Sequence, residues 1–237
     1  GINIVANSFE TDKVIISDRE HNSNLIPWQD QNIDIKIIDT KEGFNLEKLS
    51  NEVEEGDLVS VVHVSNLDGY ELPVKEIVEI ARENGAYSLI DAAQSIPHQR
   101  FSVKDIEPDF VAFSGHKMMG PSGTGALYVS DRVKDEIEPL NKGGGAVRNS
   151  TYTDSEAEEF PHNMEAGLPN MAGFIGLGAA VDYIEDIGME NIQRHEGKLT
   201  DKLRSGLKSI ENVETVGKDG TGVVSFRIEG LDSHQAS

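Results

Sequence analysis

The chain has 237 residues, 42 acidic and 21 basic, with a formal charge of −21 at neutral pH, 37% hydrophobic residues and no cysteine. That length is enough to bury a substantial core, while the acidic balance makes nucleic acid and anionic lipid poor partners. No apolar run approaches the roughly 20 residues of a membrane-spanning helix, and the lack of cysteine excludes disulfides and thiolate metal sites and fits a reducing, cytoplasmic setting.

The opening GINIVANSF (1–9) has a helical pattern with no strand before it and no capping serine, threonine or aspartate. Short runs rich in Val, Ile and Leu then recur at KVIIS (13–17), DIKIID (34–39), DLVSVVHV (57–64), YSLID (87–91), DFVAFS (109–114) and GALYVS (125–130). Apolar runs of this length, bounded by turn formers, predict strands. Between two of them, PVKEIVEIARENG (73–85) carries Val74, Ile77, Val78 and Ile80 at helical spacing and stops at Gly85. Strands alternating with amphipathic helices imply an α/β fold with a mainly parallel sheet sandwiched by helices. Two long helices are predicted next, over 172–188 and 189–210. The polar, glycine-bearing ENVETVGKDGTG (211–222) suggests a domain boundary, and Val223 to Ile228 read as a strand opening a new unit. The expected organisation is a large domain over 1–210, lacking its N-terminal part, and the start of a small C-terminal α/β domain over 211–237. Both ends are expected to be cut.

In an open α/β sheet, ligands collect beyond the carboxyl ends of the strands. After 13–17 stand Asp18, Arg19, Glu20 and His21; after 57–64, Ser65 and Asn66; after 87–90, Asp91 and Gln94; after 109–113, Ser114, His116 and Lys117. An isolated Asp at a strand end is commonly a helix cap and an isolated His commonly a packing residue, so their common placement carries the argument. A lysine amine forms an imine with a carbonyl compound. An aspartate can hold a protonated ring nitrogen and turn an aromatic ring into an electron sink. Ser and His beside glycines suit a phosphate. Together these describe a pyridoxal phosphate site, although spacing alone leaves a nucleotide-binding α/β domain open. GPSGTG (120–125) lacks the order of a nucleoside-triphosphate phosphate loop and opens no long helix.

DAAQSIPH (91–98) followed by DFVAFSGHKMMGPSGTGALYV (109–129) closely resembles the class V aminotransferase family, particularly its cysteine desulfurase and selenocysteine lyase branch. REHNSNLIPWQ (19–29), HVSNLDG (63–69), GGG (143–145) and EAGLPN (165–170) match in the same order, so the resemblance covers nearly the whole chain. It implies a fold-type-I large domain around a seven-stranded-type sheet, and pyridoxal 5'-phosphate as cofactor. It further implies that Lys117 holds the cofactor as a Schiff base and afterwards carries protons. Asp91 would pair with the pyridine nitrogen and Gln94 with the ring oxygen. His21 would stack on the ring and assist proton transfer, Ser114 and His116 would hold the phosphate, and Asn66 would line the site. His63 is expected to point away, and His98, His162, His195 and His234 to be surface or packing residues.

The chain also departs from the family. Leu168 stands where a threonine usually reaches a partner subunit's phosphate, and Asn22 where many relatives have a second histidine. The family's glycine-threonine phosphate loop is expected before residue 1. Its sulfur-accepting cysteine and its substrate-carboxylate arginine are expected beyond residue 237. The implied reaction removes sulfur or selenium from cysteine or selenocysteine, giving alanine and a persulfide. A small amino-acid substrate, a homodimer and a sulfur-acceptor protein are the implied partners. Another class V enzyme, such as an aminotransferase, epimerase or kynureninase-like lyase, and an inactive cofactor-binding or dimerising piece remain alternatives.

Overall fold

The structure is a computed structural model that describes residues 1–217 and 222–236; residues 218–221 of the expected boundary lie outside the described residues. The central sheet contains β1 (Lys13–Ser17), β2 (Asp34–Ile38), β3 (Leu58–Val62), β4 (Tyr87–Asp91), β5 (Phe110–Ser114) and β6 (Gly125–Val129), in the order β2-β1-β3-β4-β5-β6. All pairings are parallel except the last, where β6 runs back along β5. Six strands are thus described, one fewer than the seven-stranded type implied by the resemblance. The central strands β1, β3, β4 and β5 are largely buried on both faces, as in β3, where all five residues are buried, while the edge strands β2 and β6 keep one side open.

Successive residues of each strand feed two separate cores, as the pleat requires. Ile15, Val59, Val61, Ile90 and Val111 face one side, packed by α3 (Leu46–Glu52) through Leu49 and by α4 (Val74–Glu83) through Ile77, Val78 and Ala81. Val14, Ile16, Leu58, Leu89 and Phe110 face the other, covered by α1 (Ile2–Ser8) through Ile2 and Val5 and by Trp28 of α2 (Ile26–Asp30). Burying one such Ile or Leu side chain contributes about 1.5–3 kcal/mol, so the two layers hold the sheet, and its parallel pairing gathers the carboxyl ends of β1 to β5 on one edge. The short helix α5 (Val103–Ile106) leads into β5.

Beyond the sheet, β7 (Val147–Ser150) and β8 (Ser155–Ala157) form a small antiparallel hairpin. Helices α6 (Met171–Ile187) and α7 (Met189–Lys208) follow, divided at Gly188, whose φ of +83° ends the first helix. β9 (Val213–Val216) pairs with β10 (Ser225–Ile228) in a separate two-stranded sheet, so a strand stands where a polar boundary was expected. No described helix is long and apolar enough to cross a membrane.

Candidate active site

The sheet order creates a switch point: the chain leaves β1 toward β2 on one side and β3 toward β4 on the other. The strand ends beside such a point form a natural crevice. A cavity of about 460 Å³ lies there, and His21, Asn66, Asp91, Gln94, Ser114, His116 and Lys117 all line it. Residues from the ends of β1, β3, β4 and β5, separated by up to 96 positions in sequence, thus share one cavity.

Lys117 sits in one turn of 3-10 helix, Gly115–Met118, that continues directly from β5. The turn is braced by the glycine-rich segment after it: Gly115 N donates to Thr124 O at 2.8 Å, Gly120 N to Gly115 O at 2.9 Å, and Thr124 Oγ1 to Pro121 O at 2.6 Å. A Cβ on Gly115 would collide with the Thr124 side chain, so glycine is required at that approach. Gly123, at φ +78°, lets the backbone reverse into the antiparallel β6. The same glycine-rich segment thus braces the lysine turn and leads into the antiparallel strand at this edge.

Asp91 closes β4 and is buried; its Oδ1 accepts the Ala93 amide at 3.0 Å. Burial raises its pKa above the ordinary aspartate value, opposed by the Ala93 hydrogen bond and by the charges of Lys117 and His21. Asn66 lies in the loop after β3, and its buried Oδ1 has no hydrogen-bond partner among the described residues. His21 is exposed at the cavity rim. Its Nδ1 accepts the Ser23 amide at 3.1 Å, which assigns the proton of the neutral ring to Nε2. Ser114, which precedes the Lys117 turn, is half-buried, and His116, within it, is exposed.

This donor set fits a phosphorylated aldehyde with a basic ring nitrogen. It supplies an amine nucleophile, a desolvated carboxyl with no ion pair among the described residues, and hydroxyl and imidazole groups for an anion. The orphaned Asn66 oxygen is an acceptor awaiting a donor, since unpaired buried polar atoms are uncommon in folded proteins.

The other histidines stand apart from the cavity. His63 is buried against the edge of Phe101, with Nε2 3.3 Å from Glu71 Oε1 and 3.3 Å from Gln99 Nε2. His98 Nδ1 lies 2.9 Å from Glu196 Oε1, and His162, His195 and His234 are exposed. Asn22 is exposed beside His21, and Leu168, at 96% exposure, lies just ahead of α6. The sequence reading passed over Ser23, which orients His21, and Thr124, which supports the Lys117 turn. Both are short hydroxyl residues in turns, and only their three-dimensional partners distinguish them.

The profile of the aminotransferase class-V family matches residues 1–237. The chain belongs to that family. It is 41% identical to a probable cysteine desulfurase of Methanothermobacter thermautotrophicus, over 100% of this chain and 62% of that protein. It is 39% identical to a cysteine desulfurase of Haloferax volcanii, over 95% of this chain and 55% of that protein. Among solved structures, the apo cysteine desulfurase from Thermococcus onnurineus NA1 superposes with a TM-score of 0.91 at 37% identity, covering 99% of this chain and 62% of that one. The chain therefore spans less than two thirds of the length of these relatives.

Proposed function

We propose that this chain binds pyridoxal 5'-phosphate through Lys117 and serves a cysteine desulfurase reaction, with selenocysteine as an alternative substrate. The observation that carries the reading is the meeting of Lys117, the desolvated Asp91 and Asn66 on one cavity. The desulfurase names of relatives at 39–41% identity support the choice of reaction within the family.

The bound cofactor supplies an electron sink for the pair of electrons released when the substrate loses its α-proton. Lys117 Nζ would hold the aldehyde covalently and, as a free amine, would carry that proton. Asp91 would accept the hydrogen bond of a ring N–H, and a cation there would offset the desolvation that otherwise favours its neutral form. Gln94 and the Asn66 side-chain N–H would hold the ring oxygen, Ser114 and His116 would hold the phosphate, and His21 would lie against the ring with Nε2–H available as a proton donor. General acid–base steps of this kind typically contribute ~10²–10⁴-fold. The 237 residues contain no cysteine, so the thiol that accepts sulfur and becomes a persulfide is supplied from outside them, as alanine is released.

We read residues 1–210 as the cofactor-binding unit and residues from 211 on as the start of a second, which the separate β9–β10 sheet supports. Cytoplasmic action and a homodimer belong to the same reading. Leu168, Met171, Phe174 and Ile175 present an exposed apolar face along the start of α6, the kind of surface that marks an interface.

The test is borohydride reduction after addition of pyridoxal phosphate. The expected product is a pyridoxyl adduct on the peptide containing Lys117, and an adduct elsewhere or none overturns the cofactor assignment. Release of sulfide and alanine from cysteine supports desulfuration, whereas amino transfer to a 2-oxo acid without sulfide refutes it.

A further inference from the structure

Glu20 is a carboxylate beside the cavity for which the reaction has no use. It immediately precedes His21 in the turn after β1, yet its side chain reaches back into the sheet. Its Oε1 lies 2.5 Å from Ser17 Oγ, the Val62 amide of β3 donates to Oε2 at 2.8 Å, and Asn24 Nδ2 donates to Oε2 at 2.6 Å. Asn24 extends the network through its Oδ1, which accepts from Ser60 Oγ at 2.6 Å and Trp28 Nε1 at 3.2 Å. One side chain thus joins the ends of β1 and β3 to the turn that carries His21, across the switch point itself.

We propose that Glu20 is a positioning residue for His21: its carboxylate ties the turn to both strands and so holds the imidazole at the cavity rim. The catalytic meaning of that placement rests on the role given to His21 above; the geometric claim does not.

Every group that bonds the carboxylate is a donor, which suits its ionised form, and charge-assisted bonds of this type are about twice as strong as neutral ones. No basic side chain forms an ion pair with it among the described residues. Arg19, its neighbour, is committed to Asp68 and Thr40, and the charged group facing Glu20 from β4 is the like-signed Asp91. Burial dominates and pushes the Glu20 pKa up to about 7, against the hydrogen bonds from Ser17, Asn24 and Val62. The folded chain therefore holds this proton more tightly than the unfolded chain, and stability is lost as pH rises from the ordinary glutamate range through about 7. A glutamine of the same size would avoid that cost. A carboxylate kept at a stability disadvantage beside a cavity is the kind of local conflict that functional sites retain.

The experiment compares the chain with its Glu20→Gln variant at pH 8, first cofactor-free and then loaded with pyridoxal phosphate. Nitrogen NMR of His21 reads the ratio of Nε2–H to Nδ1–H tautomers, and hydrogen exchange of Leu89 and Ile90 in β4 reads the stability of the sheet. The expected result is at least a threefold fall in the tautomer ratio with β4 protection equal to or above the parent's. An unchanged ratio overturns the proposal. A ratio and β4 protection that collapse together, including complete unfolding, also overturn it by showing that Glu20 serves only the fold. The cofactor-free measurement stands apart from the desulfurase reading, which borohydride trapping on Lys117 tests independently of Glu20.

Discussion

Arg19 and Asp68 form an ion pair between the loop that carries His21 and the loop that carries Asn66. The same guanidinium donates to Thr40 Oγ1 and lies 4.7 Å from the centre of the Tyr70 ring, while Asp68 Oδ1 accepts the Tyr70 amide at 3.1 Å. Two walls of the cavity are therefore held by one planar cation. Both side chains are largely buried, so solvent screens the pair less than a surface ion pair.

Removing the acidic partner tests this link. Asp68→Ala leaves the guanidinium without its carboxylate and the Tyr70 amide without its acceptor, and about 1.5–3 kcal/mol of stability should be lost. Arg19→Lys should not substitute, because an ammonium cannot reproduce a fork that bonds Asp68 and Thr40 and stacks on a ring. Urea unfolding with an unchanged slope and a lower midpoint is the expected signature; midpoints equal to the parent's would mean the two loops are fixed independently.

Asp91 gives a pH prediction. Its pKa is raised by burial, so the folded state binds its proton more tightly than the unfolded state. Its contribution is present at acid pH and is lost as pH rises through the raised value. Asp91→Asn removes that loss: the variant should match the parent at acid pH and become relatively more stable as the pH increases. Pyridoxal phosphate binding should weaken in the same variant, since a neutral amide cannot balance a pyridinium. Denaturation midpoints measured across pH, without and with the cofactor, separate the two effects.

The Asn66 oxygen should behave similarly for a different reason. An unpartnered buried acceptor carries a desolvation cost of about 1–3 kcal/mol, so Asn66→Leu should leave the cofactor-free chain as stable as the parent or more so. In the proposed site the variant also removes the Asn66 side-chain N–H, and cofactor binding should weaken by about tenfold, equivalent to about 1.4 kcal/mol. Cofactor titration followed by absorbance reads the second effect, and equal affinities would remove Asn66 from the site.

Much of the site was legible because its chemistry-bearing residues follow strands that the sequence marks strongly. Asp91 and Lys117 come directly after runs buried on both faces, and their order along the chain is preserved at the sheet edge. Glu20 was visible only as one of four polar residues after β1. Its inward direction depends on β1 and β3 lying side by side, and no periodicity in a turn records that. The β7–β8 hairpin was missed for another reason: its residues are almost all exposed and polar, and Arg148 links the strands through Glu156, Glu158 and Glu159 rather than through an apolar face. The β9 strand lies within a segment whose polar, glycine-bearing composition signals a boundary, because VETV alternates only weakly and is half-buried at two positions.

Asp109 shows how the strand that delivers Lys117 is anchored at its other end. Its carboxylate is nearly fully buried and accepts the Ser88 amide at 2.9 Å and Arg132 Nη1 at 2.9 Å. Arg132 in turn donates to Ala86 O at 3.0 Å and stacks 4.7 Å from the Tyr87 ring centre. Asp109→Ala strips a partly buried arginine of its counter-charge and the β4 entrance of an acceptor, a change that typically costs about 3–5 kcal/mol. The double variant Asp109→Ala, Arg132→Met should recover part of that loss, because no uncompensated charge remains. Non-additivity in this cycle would identify the pair as the anchor, whereas simple addition of the two losses would assign the cost to packing.

The apolar face of α6 provides the last test. Met171, Phe174 and Ile175 are spaced to share one helical face and remain exposed, so a homodimer that covers them should be sensitive to a charge at their centre. Ile175→Asp places a carboxylate where the partner would be, and desolvating it without a counter-ion would shift the assembly strongly toward monomer. Light scattering across a concentration series reads that shift. Ile175 is exposed in the chain itself, so sheet stability should change by less than about 0.5 kcal/mol. A variant that dimerises as the parent does would place the interface elsewhere, and one that loses stability together with assembly would show that α6 depends on the partner to fold.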